Sequence, residues 1–277
     1  MRVLIVGGSG FLGGELVRRC AAAGHDVGAT YLTNPADPAQ ATWLPLDLRT
    51  RQEVATVLGT FAPEVTINAA YRQSDWATTA DGAAHVAAEV ARGGGRLVQV
   101  SSDAVFSGAQ ERYDETCPPD PITPYGAAKA AAETAVGAAL PGAAIVRTSL
   151  IVGHGRSVHE ALVRSLATGA SDGALFTDDV RCPVHVCDLA AALLEVAERG
   201  LGGVLHVAGA DAVSRYELGV LIARRDGLDA SRLRAGSRAG AGVPGPLEVR
   251  LDCSATQRRL TTRLRGAREF LAAPDTT

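Results

Sequence analysis

Lysine is almost missing from this 277-residue chain: of its 27 lysine and arginine side chains, all but Lys129 are arginine. Aromatic residues are scarce too, at 4%, and the formal net charge is -3. With no basic run, no arginine stripe and no aromatics interleaved with basic residues, a nucleic-acid partner is not expected. No apolar run is long enough to span a bilayer, and Met1-Arg2 leads straight into a strand-like run without a signal-peptide layout. The expectation is therefore a soluble, cytoplasmic protein without a membrane partner. Paired cysteines are lacking as well. Cys20, Cys117, Cys182, Cys187 and Cys253 are scattered, odd in number and free of CxxC spacing, which argues against a disulfide framework and a zinc site; no metal is expected. Cys182 and Cys187 alternate with Val184 and Val186 as strand residues do.

What the chain has in excess is small apolar side chains. A hydrophobic fraction of 47% and 31 glycines suit helices packed tightly on a sheet, and the length allows a main domain with a small annex. Arg2 to Val6 reads as a buried parallel strand that runs into Gly7-Gly8-Ser9-Gly10-Phe11-Leu12-Gly13 and then a helix to about Ala23. Glycines at 7, 10 and 13 permit a tight turn, close approach of backbone to a pyrophosphate, and close packing of helix on strand. This is the pattern of a dinucleotide site, with Ser9, Phe11 and Leu12 in the same loop. The second strand, His25 to Tyr31, is followed by no acidic residue: from Val27 to Ala36 there is neither a carboxylate nor an arginine. Loss of that acid removes repulsion against a 2'-phosphate and tilts the expectation to NADP over NAD, with Thr30 and Thr33 offering neutral hydrogen bonds. Leu44 to Leu48 reads as a third strand whose Asp47, beside Leu48, is placed to meet an adenine amino group. Thr50-x-x-Glu53 reads as a capping box.

Two further strands, Val65 to Tyr71 and Arg96 to Ser101, bring Ala69, Ala70, Tyr71 and then Ser102 to the sheet edge where open parallel sheets hold ligands. Tyr125 opens a helix and Lys129 follows four residues later, one turn on and on the same face. That spacing predicts an ammonium that stabilises the phenolate and lowers the tyrosine below its usual value of about 10. Gly142 to Ser149 is the next strand, ending in Thr148 and Ser149 at the cofactor edge. Past residue 150 the strict alternation weakens, so 1–150 is expected to form the dinucleotide-binding core and 151–277 a smaller substrate-side region lending some strands and helices to it. There Ser157 and Ser214-x-x-Glu217 read as helix caps, Gly236 to Gly245 as a mobile loop, and His154 and His159 as loop or surface residues.

Gly7-x-x-Gly10-x-x-Gly13, Ser102, Tyr125 and Lys129, in this order, resemble the extended short-chain dehydrogenase/reductase superfamily over essentially the whole chain. Ser101-Ser102-Asp103-Ala104-Val105-Phe106, Tyr125-Gly126-Ala127-Ala128-Lys129, Arg147-Thr148-Ser149 and Pro183-Val184-x-x-x-Asp188-Leu189-Ala190 are similar to its dTDP-4-dehydrorhamnose reductase branch. The resemblance implies an α/β fold, a doubly wound parallel sheet of the Rossmann kind with a small C-terminal substrate-binding annex. It also implies reduction of a sugar-nucleotide ketone by NAD(P)H, with Tyr125 as general acid, Lys129 on the cofactor ribose and Ser102 on the ketone oxygen. Asp103, Val105 and Phe106 fall on the substrate side of that pattern. The chain departs from the family at Gly153-His154-Gly155-Arg156-Ser157-Val158 and at Gly245-Pro246, where an arginine-proline pair is usual. Arg156, Arg238 or Arg250 is then expected to supply the charge facing the substrate. A dehydratase or epimerase of the same superfamily is an alternative, opposed by Ala104 where a dehydratase has glutamate after the aspartate. A non-catalytic NADP-binding regulatory subunit is another, and a homodimer is left open.

Overall fold

The computed structural model describes residues 1–37 and 39–272. Its first half alternates strand and helix: β1 (Arg2–Val6), α1 (Phe11–Ala22), β2 (Asp26–Tyr31), β3 (Thr42–Pro45), α2 (Arg51–Phe61), β4 (Val65–Asn68), α3 (Gly82–Gly93), β5 (Arg96–Ser102), α4 (Pro124–Ala139) and β6 (Ala144–Thr148). The elements that follow are β7 (Ile151–Val152), α5 (Val158–Thr168), β8 (Leu175–Phe176), β9 (Val180–Arg181), β10 (Val184–His185), α6 (Val186–Arg199), β11 (Gly203–His206), β12 (Val213–Ser214), α7 (Arg215–Arg225), β13 (Ala235–Gly236) and the short helices α8 (Ser254–Gln257) and α9 (Ala267–Phe270). Seven strands form one parallel sheet in the order β11-β6-β5-β4-β1-β2-β3. The order reverses between β1 and β4, and a doubly wound sheet opens its ligand crevice at that point, beyond the carboxyl ends of the strands.

The strands are apolar runs rather than alternating ones because both faces are covered. Leu4 and Val6 pack with Val54, Leu58, Val86, Ala132 and Val136 of α2, α3 and α4, whereas Val3 and Ile5 pack with Leu16 of α1 and Leu189 and Leu193 of α6. α6 and β11 come from the chain after residue 150, so that segment completes one helix layer and the sheet edge. What remains of it, chiefly α5 and α7, gathers a core of its own around Val163, Leu175, Leu218, Ile222 and Leu233.

Local chemistry departs from the sequence reading in four places. Thr50 makes no side-chain cap bond, because the Glu53 carboxylate reaches past it to the Asp47 N–H at 2.8 Å. β3 stops at Pro45, which leaves Asp47 and Leu48 in the turn beyond it. Cys187 lies in the first turn of α6 rather than in a strand, since the His185 ring accepts the Cys187 N–H at 3.2 Å and starts the helix. The glycine-rich loop expected to be mobile is pinned: Asp178 accepts the Arg238 N–H at 2.6 Å and the Ala239 N–H at 3.1 Å. Ser157 and Glu160 do form a complete capping box on α5, and Ser214 caps α7. Among the described residues no helix is long and apolar enough to cross a membrane.

Candidate active site

A cleft of about 890 Å³ runs above the carboxyl ends of β1, β4, β5 and β6 and under the annex. One wall is backbone. Gly7 has φ +83, and a Cβ there would lie 2.9 Å from Ala70 Cα; a Cβ on Gly13 would lie 2.0 Å from the Gly7 carbonyl oxygen. Only glycine allows the loop to fold under α1 so closely. The N-cap Gly10 supplies no side-chain acceptor and the first turn of α1 has no acidic residue, so its orphan amides are left for an anion. Ser9, Gly10, Phe11, Leu12, Gly13, Leu48, Ala69, Ala70 and Tyr71 all line this wall. Thr148 and Ser149 line it from β6, and the buried Thr148 hydroxyl has no hydrogen-bond partner among the described residues. Thr30 has a different task from the expected ribose contact. It is 2% exposed and its hydroxyl accepts the Gly7 N–H at 3.0 Å, so it holds the loop. Asp47 reaches the cleft with its carboxylate paired to Arg49 at 2.5 Å, which holds it below the usual carboxylate range.

At the centre Ser102, Tyr125 and Lys129 come together. α4 begins beneath them through a Thr123 side-chain cap and Pro124, whose fixed φ suits the first helical position. Gly126 is obligatory, because a Cβ would lie 2.1 Å from the Ala104 carbonyl. Tyr125, Lys129 and Glu133 follow at successive turns on one face of α4. Glu133 accepts three hydrogen bonds from Arg147, at 3.1, 3.2 and 2.8 Å, and the Ser101 hydroxyl at 2.5 Å, all in the buried layer between α4 and the sheet. This clamp fixes the rotation of α4 and with it the two residues above.

The expected lowering of Tyr125 is corrected by the geometry. Burial pushes its phenol well above the ordinary value, Tyr71 adds to the effect, and the bond from Ser102 opposes it. Lys129 does not donate to Tyr125; its Nζ donates to the Val100 carbonyl at 3.0 Å and lies 5.2 Å from the centre of the Tyr71 ring. Fully buried, Lys129 is pulled down to about 8, with Glu133 holding it up. At neutral pH the site thus carries a protonated phenol beside a cationic lysine.

The opposite wall is made of charge. Arg156, His159, Arg181, Arg215 and Arg238 line it, and Asp179, 2% exposed, is its hub. That carboxylate faces Arg181 at 2.9 Å, Arg215 at 3.4 Å and Arg238 at 2.6 Å. Arg181 also lies 3.7 Å from Asp103, itself bound by the Ser149 hydroxyl at 2.6 Å. Three guanidiniums against two carboxylates leave a positive excess, and the buried Arg238 Nε has no hydrogen-bond partner among the described residues. Burial and Arg215 pull His159 down to about 4, so it is neutral and adds no charge.

Several substrate-side expectations are corrected here. Val105 and Phe106 are fully buried, since the 3-10 turn Asp103–Val105 directs the chain inward, and Phe106 stacks on Tyr113 at 4.1 Å. Arg250 pairs with Glu248 and is not in the cleft lining, whereas Arg156 and Asp103 are. His159 is a cleft residue bonded to Arg215, not a surface one. Arg181 and Arg215 also line the cleft, although neither sits in a local sequence motif that marks it.

A doubly wound sheet with a glycine loop at its switch point and a serine, tyrosine and lysine over its carboxyl edge defines an NAD(P)-dependent oxidoreductase. Comparison with known proteins narrows the class. The model of the family described as RmlD substrate binding domain matches residues 1–274, and the chain belongs to that family. It is 34% identical over 293 residues to dTDP-4-dehydrorhamnose reductase of Mycobacterium tuberculosis, covering 98% of this chain and 91% of that protein. It is 29% identical over 273 residues to methionine adenosyltransferase 2 subunit beta of Danio rerio, covering 91% and 83%. A crystal structure of a hypothetical dTDP-4-dehydrorhamnose reductase from Sulfolobus tokodaii shares the fold with a TM-score of 0.83 and 27% identity, over 96% of this chain and 97% of that one.

Proposed function

We propose that this protein reduces a ketone on a sugar nucleotide with NADPH, with Tyr125 as the general acid. The observation that carries the reading is the pairing of two unlike walls across one cleft: a glycine cradle with Ser102, Tyr125 and Lys129 on one side, and a cluster of arginines around the buried Asp179 on the other.

The residues present fit a dinucleotide. The cradle has no room for side chains at Gly7 and Gly13, the amides of α1 are open, and Thr148 offers an unpartnered hydroxyl. When bound, the nicotinamide supplies the hydride for the carbonyl carbon. Ser102 donates to the ketone oxygen and holds it beside Tyr125. Tyr125, kept protonated by burial, gives its proton to that oxygen as negative charge develops there. Lys129 holds the cofactor ribose, and its charge favours departure of the phenolic proton. NADPH is favoured over NADH because the end of β2 carries no carboxylate to repel a 2'-phosphate. Across the cleft Arg156, Arg215 and Arg238 receive the diphosphate, a group that guanidinium binds bidentately.

The test is NADPH oxidation by the purified protein with dTDP-4-dehydrorhamnose, followed at 1:1 competition with the same sugar lacking its nucleotide. Turnover that requires the nucleotide supports the reading. No turnover of any keto-sugar by a protein that still binds NADPH would move the assignment to a cofactor-binding subunit; the Danio rerio relative is itself named as a subunit.

A further inference from the structure

Outside the cleft, three potential ligand atoms from distant parts of the chain converge on one point. Glu15 is on α1, His154 is in the turn between β7 and α5, and Cys187 is in the first turn of α6. His154 Nε2 lies 3.4 Å from Cys187 Sγ and 3.7 Å from Glu15 Oε2, and all three ligand atoms lie within 4.8 Å of one another. We propose that Glu15, His154 and Cys187 form a site for a thiophilic divalent ion of the zinc type, which ties the substrate-side turn to the cofactor helix.

The distances suit such an ion. With metal–sulfur bonds of about 2.3 Å and metal–nitrogen or –oxygen bonds of about 2.0–2.2 Å, the ligand atoms of a tetrahedron lie roughly 3.3–3.6 Å apart. Three protein ligands leave the fourth position to water. The backbone is shaped to present the imidazole: His154 has φ +59, one of two non-glycine residues with positive φ among the described residues, and Gly153 and Gly155 on either side are at +147 and +66. Such a conformation costs energy in a residue with a Cβ and persists where the surroundings impose it. The carboxylate is aimed as well. Arg18 donates to both its oxygens, at 2.9 and 2.6 Å, and Arg19 donates to Oε1 at 3.0 Å, which leaves a lone pair of Oε2 facing His154.

Those same arginines select the kind of ion. Two guanidiniums against one carboxylate make the cluster net positive while Cys187 is a thiol, so a hard cation that needs only oxygen ligands is repelled. An ion that displaces the thiol proton gains a thiolate, which brings the protein groups to neutrality. The step balances as one S–H bond broken, one metal–sulfur bond formed and one proton released to solvent. Imidazole and thiolate together suit Zn²⁺, and Co²⁺ can report on the same geometry.

The consequence reaches the cleft. The turn bearing His154 continues into Arg156 and His159 of the charged wall, and α1 begins at the glycine cradle. An ion held between them braces both walls from behind without entering either.

The experiment uses the full chain, stripped with chelator and titrated with Co²⁺. The expected result is a sulfur-to-cobalt charge-transfer band with intense tetrahedral d–d bands, removed by Zn²⁺, absent in Cys187→Ser, and requiring at least tenfold more Co²⁺ in His154→Ala. Cys253→Ser should retain it, and Mg²⁺ should neither displace Co²⁺ nor raise the melting temperature. Wild-type protein without the band, or a band that survives Cys187→Ser, overturns the proposal. Should Cys187→Ser fold poorly, alkylation of wild type read by mass spectrometry decides: Zn²⁺ must protect Cys187 selectively, and equal labelling with and without Zn²⁺ refutes the site.

Discussion

On the proposed function, the two walls of the cleft recognise by opposite means. The cofactor wall works through what is missing: side chains absent at Gly7 and Gly13, an acceptor absent at the start of α1, a carboxylate absent after β2. The substrate wall works through long side chains brought together from residues 156 to 238 and balanced on Asp179. Backbone recognition tolerates almost no substitution, because a backbone cannot step aside. Side-chain recognition by several arginines is redundant, so losing one weakens it without ending it.

The largest effect should therefore come from Gly13→Val. Its Cβ would meet the Gly7 carbonyl at 2.0 Å, and the atom it meets is main chain. NADPH binding measured by calorimetry should fall below detection while circular dichroism still reports the folded α/β chain. Retained micromolar binding would break the claim that the loop has no slack.

Tyr125→Phe comes next. NADPH affinity should stay within about twofold, and turnover of the keto-sugar nucleotide should drop on the order of 10²-fold or more, the usual cost of a lost general acid. The pH dependence sharpens this. With Tyr125 raised by burial and Lys129 near 8, raising pH through 8 neutralises the lysine while the phenol stays protonated, so NADPH affinity should weaken there before the proton donor is lost. Arg238→Ala tests the other wall. Losing one charged contact to the diphosphate should raise KM about tenfold with kcat nearly unchanged, equivalent to about 1.4 kcal/mol. A change in NADPH affinity of the same size would mean the two walls are not separate.

This asymmetry also decided what could be read from the chain alone. The glycine loop, the seven-residue pattern of strand into turn into helix, and the Tyr125–Lys129 spacing are local, so their geometry is written in neighbouring letters. Thr30 lines the cleft, but only the folded loop shows its hydroxyl turned to the Gly7 N–H, and one short turn after Ser102 takes Phe106 out of the cleft. Asp179 gathers Arg181, Arg215 and Arg238 across 59 residues, and no spacing rule announces such a hub. The same holds for Glu15, His154 and Cys187, which come from three separate segments and meet only in the fold.

The smallest effect concerns the frame of the substrate wall. Ser157 Oγ accepts the Glu160 N–H at 3.2 Å, and the Glu160 carboxylate returns a bond from the Ser157 N–H at 2.9 Å. Glu160 is fully buried and also receives the N–H groups of Gly153 and Gly155 and the guanidinium of Arg225 at 2.7 Å. Ser157→Ala removes only the hydroxyl half of the box and leaves this carboxylate in place. The loss should then be about 1 kcal/mol, the typical value for an N-cap, and should lower the melting temperature by roughly 2–4 °C in a chain of this size. Because α5 carries His159 and none of the cradle glycines, NADPH affinity should not move at all. A parallel loss of NADPH binding in Ser157→Ala would show that the charged wall supports the backbone wall, and the separation drawn between them would fail at its weakest joint.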